Sequence, residues 1–313
     1  MGDAHIDGIE HPAFGPEQDH WLWLAAELGL PLSDDKRQRA AQTWEYSGIL
    51  FDSIRGLLLI PDRKLTKVLD SLTEVAGALQ VTARGLASVA GRLLHYSLCI
   101  RHVRPFVPFL WAIIGCEGIP DYDRVIPVSA ELRSLCAYLL STIPVYATRG
   151  VPMWPFVASS LYSALVRGDA FAARARAISF DASLLPAWGA ALQTSEVPSA
   201  RIFSGTFPRN AITTCQVHAE GHAGALALAA VERLVDLSDS IIILRNDCSG
   251  ALAALEYGST RSPQLQAHAM SISRLSATHN ATCLFLHVPG SVLVAEGIDH
   301  ASRGGAATDL GPA

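Results

Sequence analysis

The chain has 313 residues, half of them apolar and only 17% charged, which provides for sizeable cores and excludes global disorder. Its formal net charge of −5 argues against a free-standing nucleic-acid binder held by bulk positive charge, although bound cations or a neighbouring domain would offset it. The six cysteines (Cys99, Cys116, Cys136, Cys215, Cys248 and Cys283) form no Cys-x-x-Cys pair, so a knuckle-type zinc site and a disulfide framework are excluded and reduced thiols are expected. In chain order, the first 20 residues are polar and acidic, unlike a secretory leader. "WLWLAAELGLPLSDDKRQ" predicts a short helix ending near Gly29, then a turn. "TWEYSGILFDSIRGLLLIPDRKL" alternates apolar and polar residues around Gly48 and Gly56, which predicts a β-hairpin closed by Pro61. A helical pattern then runs from Lys64 to about Ile114, interrupted by Pro105 and Pro108. The most apolar run, "HVRPFVPFLWAIIGCEGIP", is too short and too proline-broken to span a bilayer, so a soluble intracellular chain without a membrane partner is expected, nuclear or cytoplasmic. A linker from Gly115 to Pro127 precedes a helix over "SAELRSLCAYLLSTI", and "PVYATRGVPMWPFVASS" reads as irregular, marking a domain boundary.

The C-terminal part reads as strand (Ala177–Ser183), strand (Trp188–Thr194), strand (about Ile212–Val217) and helix (about Glu220–Leu237). There follow strand (Ser240–Asn246), helix (about Ser249–Tyr257), helix (about Pro263–Thr278), strand (Thr282–His287) and a last helical piece to Ser302. The tail after Arg303 is expected to be disordered. Within this order, four acids fall at comparable places on the elements. Asp181 lies in the first strand, Glu220 opens the first long helix, Asp247 ends the fourth strand, and Asp299 follows the last.

Taken singly, each acid has an ordinary explanation. Asp181 suits a strand-end turn, Glu220 a favourable charge at a helix N-terminus, Asp247 a helix cap beside Ser249, and Asp299 an exposed surface acid. Their joint occurrence at element ends that a mixed sheet brings to one edge favours a shared purpose. Clustered carboxylates repel one another, and divalent cations relieve the repulsion. Hard oxygen ligands suit Mg²⁺ or Mn²⁺. Two such ions would activate a water and stabilise the leaving oxygen of a phosphodiester.

The motifs carrying these acids resemble the RNase H domain of retroelement reverse transcriptases. "FDASLLPAWGAAL" looks like its first strand and Trp-Gly turn, "EGHAGALALAAVERL" like its acid-x-x-Ala helix, and "LRNDCSGALAALEYGSTRSPQLQ" like its strand-Asp-helix segment, with Cys248 where Asn or Ser is usual. "FLHVPGSVLVAEGIDHASR" is similar to the closing segment of DIRS-like retrotransposons. Upstream, "WEYSGILFDSIRGLLLIPDRKLTKVLDSL" and "GRLLHYSLCIRHVRPFVPFLW" are similar to the hairpin, thumb and connection after the polymerase active site. "AHIDGIE" stands at the Tyr-x-Asp-Asp position with only Asp7 kept, or is a simple turn, so DNA synthesis by this chain alone is not expected.

The resemblance implies an α/β fold: an RNase H-like domain with a five-stranded mixed sheet and flanking helices, preceded by a mainly helical thumb/connection region with a β-hairpin. The expected divisions are 1–62 (palm remnant and hairpin), 63–170 (thumb/connection), 171–303 (RNase H-like) and 304–313 (tail). It implies a metal-dependent endonuclease for the RNA strand of RNA–DNA hybrids, using two Mg²⁺ or Mn²⁺ ions. The hybrid, and the rest of a retroelement polyprotein, are the implied partners. Asp181, Glu220, Asp247 and Asp299 would be both the catalytic residues and the metal ligands. Asp181 would bridge the ions, Glu220 and Asp247 would serve the leaving-group side, with Glu220 near the 2′-OH, and Asp299 would serve the nucleophilic water. A second alignment puts Ala227 at the helix-acid position, which would leave three acids. His287 and His300 are candidates for proton traffic, His287 with a structural hydrogen bond as its alternative role, and Arg245 and Arg261 for phosphate contact. The alternative function is a catalytically inactive retroelement-derived scaffold that binds nucleic acid or a protein.

Overall fold

The computed structural model describes residues 27–28, 42–115, 121–152, 158–168, 170–183, 187–195, 200–208, 215–258 and 262–304. The "AHIDGIE" motif, most of the first expected helix, Arg261 and the tail from residue 305 lie outside them. The chain divides into two compact units, one comprising residues up to Arg101 with Tyr122–Pro155, the other His102–Asp121 with Phe156 onward.

In the first unit the expected hairpin forms between β1 (Thr43–Tyr46) and β2 (Ile49–Asp52). Its two-residue turn places Ser47 (φ 51°) and Gly48 (φ 77°) both in the left-handed region, the conformation whose twist matches the flanking strands. Trp44 stacks on Phe51 directly across the pair, at 5.2 Å between ring centroids. The sheet continues past the hairpin to β3 (Leu57–Leu59). Helices α1 (Asp62–Gly77) and α2 (Ala83–Tyr96) flank a short strand, β4 (Gln80–Thr82), whose Thr82 side chain caps α2 by accepting from the Gly85 N–H. Helix α3 (Val107–Ile114) belongs to the second unit. The expected linker contains a strand, β5 (Val125–Pro127), paired with β4.

Helix α4 (Ala130–Arg149) corrects the reading of residues 144–149 as irregular. Pro144 lies inside it, yet Leu135, Leu139, Ile143, Tyr146 and Ala147 continue one buried stripe across the proline. Burial on both sides of Pro144 outweighs the lost backbone bond, about 3 kcal/mol. β6 (Val151–Pro152) then closes the first sheet against β3.

The second unit is built on a five-stranded mixed sheet. After α5 (Ala158–Arg167), its strands are β7 (Ala175–Ala182), β8 (Ala187–Thr194), β9 (Arg201–Thr206), β10 (Ile241–Asn246) and β11 (Thr282–His287), in the spatial order β11-β10-β7-β8-β9. β7, β8 and β9 are antiparallel neighbours, and β10 runs parallel to both β7 and β11. This is the α/β fold class that the sequence implies.

The third strand among the described residues is Arg201–Thr206; of the expected strand at Ile212–Val217, residues 212–214 lie outside the described residues. β9 is an edge strand on which Phe203 is the one fully buried side chain, so it lacks the apolar run by which a strand is recognised. Gln216 and Val217 instead open α6 (Gln216–Glu232).

Period-two alternation sends Ile178 and Phe180 of β7, with Ile242 and Leu244 of β10, to the face covered by α6, α7 (Ser249–Tyr257) and α8 (Pro263–Thr278). Ala177 and Ile243 face α5 on the opposite side. α9 (Gly290–Ala295) and α10 (Ile298–Ser302) cover the rest of that side through Leu293 and Ile298 against Ala191. α6 buries Ala219, Ala223, Ala227, Leu228 and Val231, and leaves Leu226 and Ala230 half-buried, so its inward face is rotated from the expected Ala223, Leu226, Ala230 set. Close approach decides the face: a Cβ on Gly224 would lie 2.9 Å from the Phe180 ring.

One piece of this unit comes from far upstream. The 3₁₀ turn Arg101–Phe106 rests on α8, where Gln266 donates to the Pro105 carbonyl and Ser273 donates to the His102 carbonyl at 2.6 Å. Arg274 stacks over Phe106, and Arg104 over Tyr257 at 4.7 Å. Among the described residues no helix is long and apolar enough to cross a membrane.

Candidate functional site

The site forms at the carboxyl ends of the adjacent parallel strands β7 and β10, where ligands of open α/β sheets commonly bind. Register pairs Arg245 with Ser179, so Asp247, just past β10, is level with Asp181. Asp181 points away from α6 and Asn246 towards it, because neighbours on a strand alternate. Glu220 comes down from α6 to meet both. One carboxylate oxygen from each of Asp181, Glu220 and Asp247 lies within 4.8 Å of the others. Asp181 and Glu220 are buried, and Asp247 is exposed, so the cluster opens to solvent on one side.

Glu220, 1% exposed, is held on three sides. Its Oε2 accepts from the Ala182 N–H (3.1 Å) and the Asn246 amide (2.9 Å), and its Oε1 accepts from the Gln216 amide (2.5 Å). It is the fifth residue of α6 and does not open it, since the helix begins at Gln216 after extended Cys215. It therefore lies beyond the first turn, and the macrodipole account of its position does not apply. Burial, then the charge of Asp181, pushes the Glu220 carboxyl up to about 8. Asp181 is also raised above the ordinary carboxylate range, first by burial and then by the charges of Asp247 and Asp299. The Ser302 hydroxyl, donating to its Oδ2 at 2.6 Å, pulls it back. Such a group of crowded, partly desolvated acids is short of positive charge.

Asp247 does not cap α7: the cap position is Cys248, which makes no side-chain cap bond. The Asn246 side-chain oxygen accepts from the Cys248 N–H instead, at 2.8 Å. A Cβ on Gly290 would lie 2.6 Å from Asp247 Oδ2, so the closing "HVPG" segment packs directly on this carboxylate.

Asp299 stands outside the group of three. It is near enough for its charge to act on Asp181, but both its oxygens accept from Arg303, at 2.9–3.1 Å. Ala227, the alternative helix-acid position, is fully buried among the core residues under α6 and has no place beside the acids. His287 Nε2 bonds the Asp247 carbonyl at 3.0 Å, the structural alternative for it, and His300 is exposed.

Arg245 is not the phosphate contact that the sequence suggests. It is 3% exposed, paired with both oxygens of Glu296, donating to Ser179 and stacked 3.9 Å over Tyr162, so it cannot reach a phosphate. Its place in β10 next to inward-facing Leu244 and Asn246 sends it to the opposite face of the sheet. Gln216 and Asn246, which support the acids, carry no signal of their own in the sequence, whereas Gly290 and Ser302 stand in the closing motif His-Val-Pro-Gly … Asp-x-x-Ser-Arg without an assigned role. Only adjacency to the acid motifs could have signalled the two amides.

The donor set fits small hard cations. Three carboxylate oxygens within one ion's reach, no sulfur or imidazole among them, and carboxyls destabilised by mutual repulsion match the ligand chemistry of Mg²⁺ and Mn²⁺.

No protein-family model matches the chain, and no curated protein does. Solved structures are similar to it. RNase H1 from the halophilic archaeon Halobacterium salinarum is 22% identical over 41% of this chain and 95% of its own, with a TM-score of 0.34. LC11-RNase H1, solved with an RNA/DNA hybrid, is 17% identical over 42% of this chain and 95% of its own, with a TM-score of 0.35. A foamy viral protease-reverse transcriptase, also solved with an RNA/DNA hybrid, is 11% identical over 86% of this chain, with a TM-score of 0.33. This chain spans 33% of that viral protein's length.

Proposed function

We propose that the chain is a ribonuclease H that cuts the RNA strand of RNA–DNA hybrids, as the thumb/connection and RNase H part of a DIRS-like retroelement reverse transcriptase. The observation that carries this reading is the convergence of Asp181, Glu220 and Asp247 within 4.8 Å at the open end of the sheet. Asp181, Glu220, Asp247 and Asp299 would hold Mg²⁺ or Mn²⁺, two ions in all. When bound, the ions supply an activated water and stabilise the departing oxygen.

The protein's own part is positioning. Asp181, whose Oδ2 accepts from Ser302, would serve as a ligand shared with Glu220 and Asp247. Glu220 is gripped by Ala182, Asn246 and Gln216, and would be the acid nearest the RNA 2′-OH, which distinguishes RNA from DNA. Asp247 is on the solvent side, where a phosphodiester enters. Asp299 serves the water side once Arg303 releases it. A longer retroelement polyprotein would supply the nucleic-acid path.

The test is cleavage of a labelled RNA–DNA hybrid in Mg²⁺. The intact chain should cut the RNA strand, and Asp181→Asn should reduce the rate at least 100-fold with the fold intact by circular dichroism. The Asp299–Arg303 pair favours a second reading, a scaffold that binds without cutting. Hybrid binding with no cleavage in either Mg²⁺ or Mn²⁺ would establish that reading in place of the first.

A further inference from the structure

The pair Trp188–Gly189 sits directly opposite the end of β7, with Gly189 facing Asp181 and Trp188 facing Ala182 in register. Each residue of the pair packs differently. The Trp188 ring lies across Gly205, where a Cβ would meet it at 2.7 Å. At Gly189 a Cβ would lie 2.6 Å from both the Ile298 carbonyl and the Ser302 N–H nitrogen. Those are backbone atoms, so α10 rests on the bare backbone of β8. Only glycine permits that approach.

The approach brings Ser302, fully buried, to 2.6 Å from Asp181 Oδ2. The same hydroxyl lies 2.9 Å from the Asp299 carbonyl, but it has one proton, and the charged, closer carboxylate is the stronger acceptor. The corner before α10 is braced independently. Glu296, next to Gly297 (φ 78°), is held by both terminal nitrogens of buried Arg245, at 2.9 and 3.2 Å. α10 is thus pinned at its start by Arg245 and at its end by its seat on Gly189.

We infer that Ser302 is a positioning residue for the metal centre: its hydroxyl fixes the rotation of the Asp181 carboxylate so that the free oxygen is presented to the ion, and Gly189 exists to let it reach. This rests on the metal-nuclease reading. It differs from that reading in naming a group that touches neither ion nor substrate. Hydrogen-bond partners of ligating side chains typically contribute 10–100-fold in metal affinity.

The experiment is Mn²⁺ binding to the metal-free full chain, read by electron paramagnetic resonance, on wild type and three variants. Ser302→Ala deletes the hydroxyl with little change in volume and should weaken Mn²⁺ binding about ten-fold. Gly189→Ala pushes on the α10 backbone, Ser302 N included, while keeping the Ser302 hydroxyl, and should weaken binding similarly. Ser183→Ala is the control. Ser183 donates to the Ser302 carbonyl at 3.0 Å and so holds the same helix end through the backbone, not through the Ser302 hydroxyl. It should leave binding within two-fold. In hybrid cleavage, Ser302→Ala should lower kcat and raise the Mn²⁺ needed for half-maximal rate, with KM for the hybrid unchanged. Wild-type-like Mn²⁺ binding by Ser302→Ala overturns the positioning role and leaves the nuclease reading standing. Equal losses in Ser302→Ala and Ser183→Ala reduce Ser302 to packing and also overturn it. Absence of Mn²⁺ binding by wild type overturns the metal reading and this inference with it.

Discussion

Gly290 shows how finely the acids are placed. A methyl group there meets a carboxylate oxygen of Asp247 and no backbone atom, so the flexible side chain yields and the main chain does not. Gly290→Ala should therefore weaken Mg²⁺ binding several-fold by calorimetry while changing stability by less than about 0.5 kcal/mol in urea unfolding, as for a surface substitution. At this scale the sequence is legible for the charged groups and for the closing motif, and silent on the amides. Asp181, Glu220 and Asp247 announced themselves because an acid in an apolar element needs a partner. Asn246 and Gln216 did not, because an amide next to an acid motif has no signature until its partners are known. Arg245 misled because an arginine is ordinarily exposed. Its burial depends on Glu296, Ser179 and Tyr162, none of which is near it in sequence.

Among the elements, α6 and α8 carry a different chemistry on the face behind the acids. His222 of α6 stacks on His268 of α8 at 4.3 Å and 17° between ring planes, and lies tilted beside Phe207 at 5.1 Å. Burial lowers His222, and burial together with His222 and His218 lowers His268 to about 4. Between pH 6.5 and 4 the unfolded chain takes up protons that the folded one refuses, so stability falls as pH falls through that window. His268→Phe keeps a ring in the stack and removes the titration. Thermal unfolding from pH 7 to pH 4 should show a smaller loss for this variant than for wild type. Elements with strong periodicity or clear caps, such as α8 with Ser262 accepting from the Leu265 N–H, were readable from sequence. The edge strand β9 was not, since one buried phenylalanine is too little pattern, and neither was α4 beyond Pro144, where tertiary burial overrode a local rule.

For the whole molecule, the metal binding proposed for the acid cluster would make stability a function of metal. Any ion that binds the folded chain and not the unfolded one stabilises it by mass action, about 2.7 kcal/mol at one hundred times Kd. Saturating Mg²⁺ should therefore raise Tm by several degrees, a chelator should reverse the rise, and Asp181→Asn should abolish it, all by differential scanning fluorimetry.

The seat of Arg101–Phe106 on α8 also bears on how the protein is made. That turn leaves the ribosome roughly 160 residues before the helix that receives its carbonyls. The second unit is consequently assembled around an excursion of the chain and completed late in synthesis. A fragment begun at the first strand of its sheet would lack a piece of its own wall, with Gln266 and Ser273 left facing water. An expression boundary set upstream of His102 retains that wall, whereas one drawn at the start of the sheet discards it.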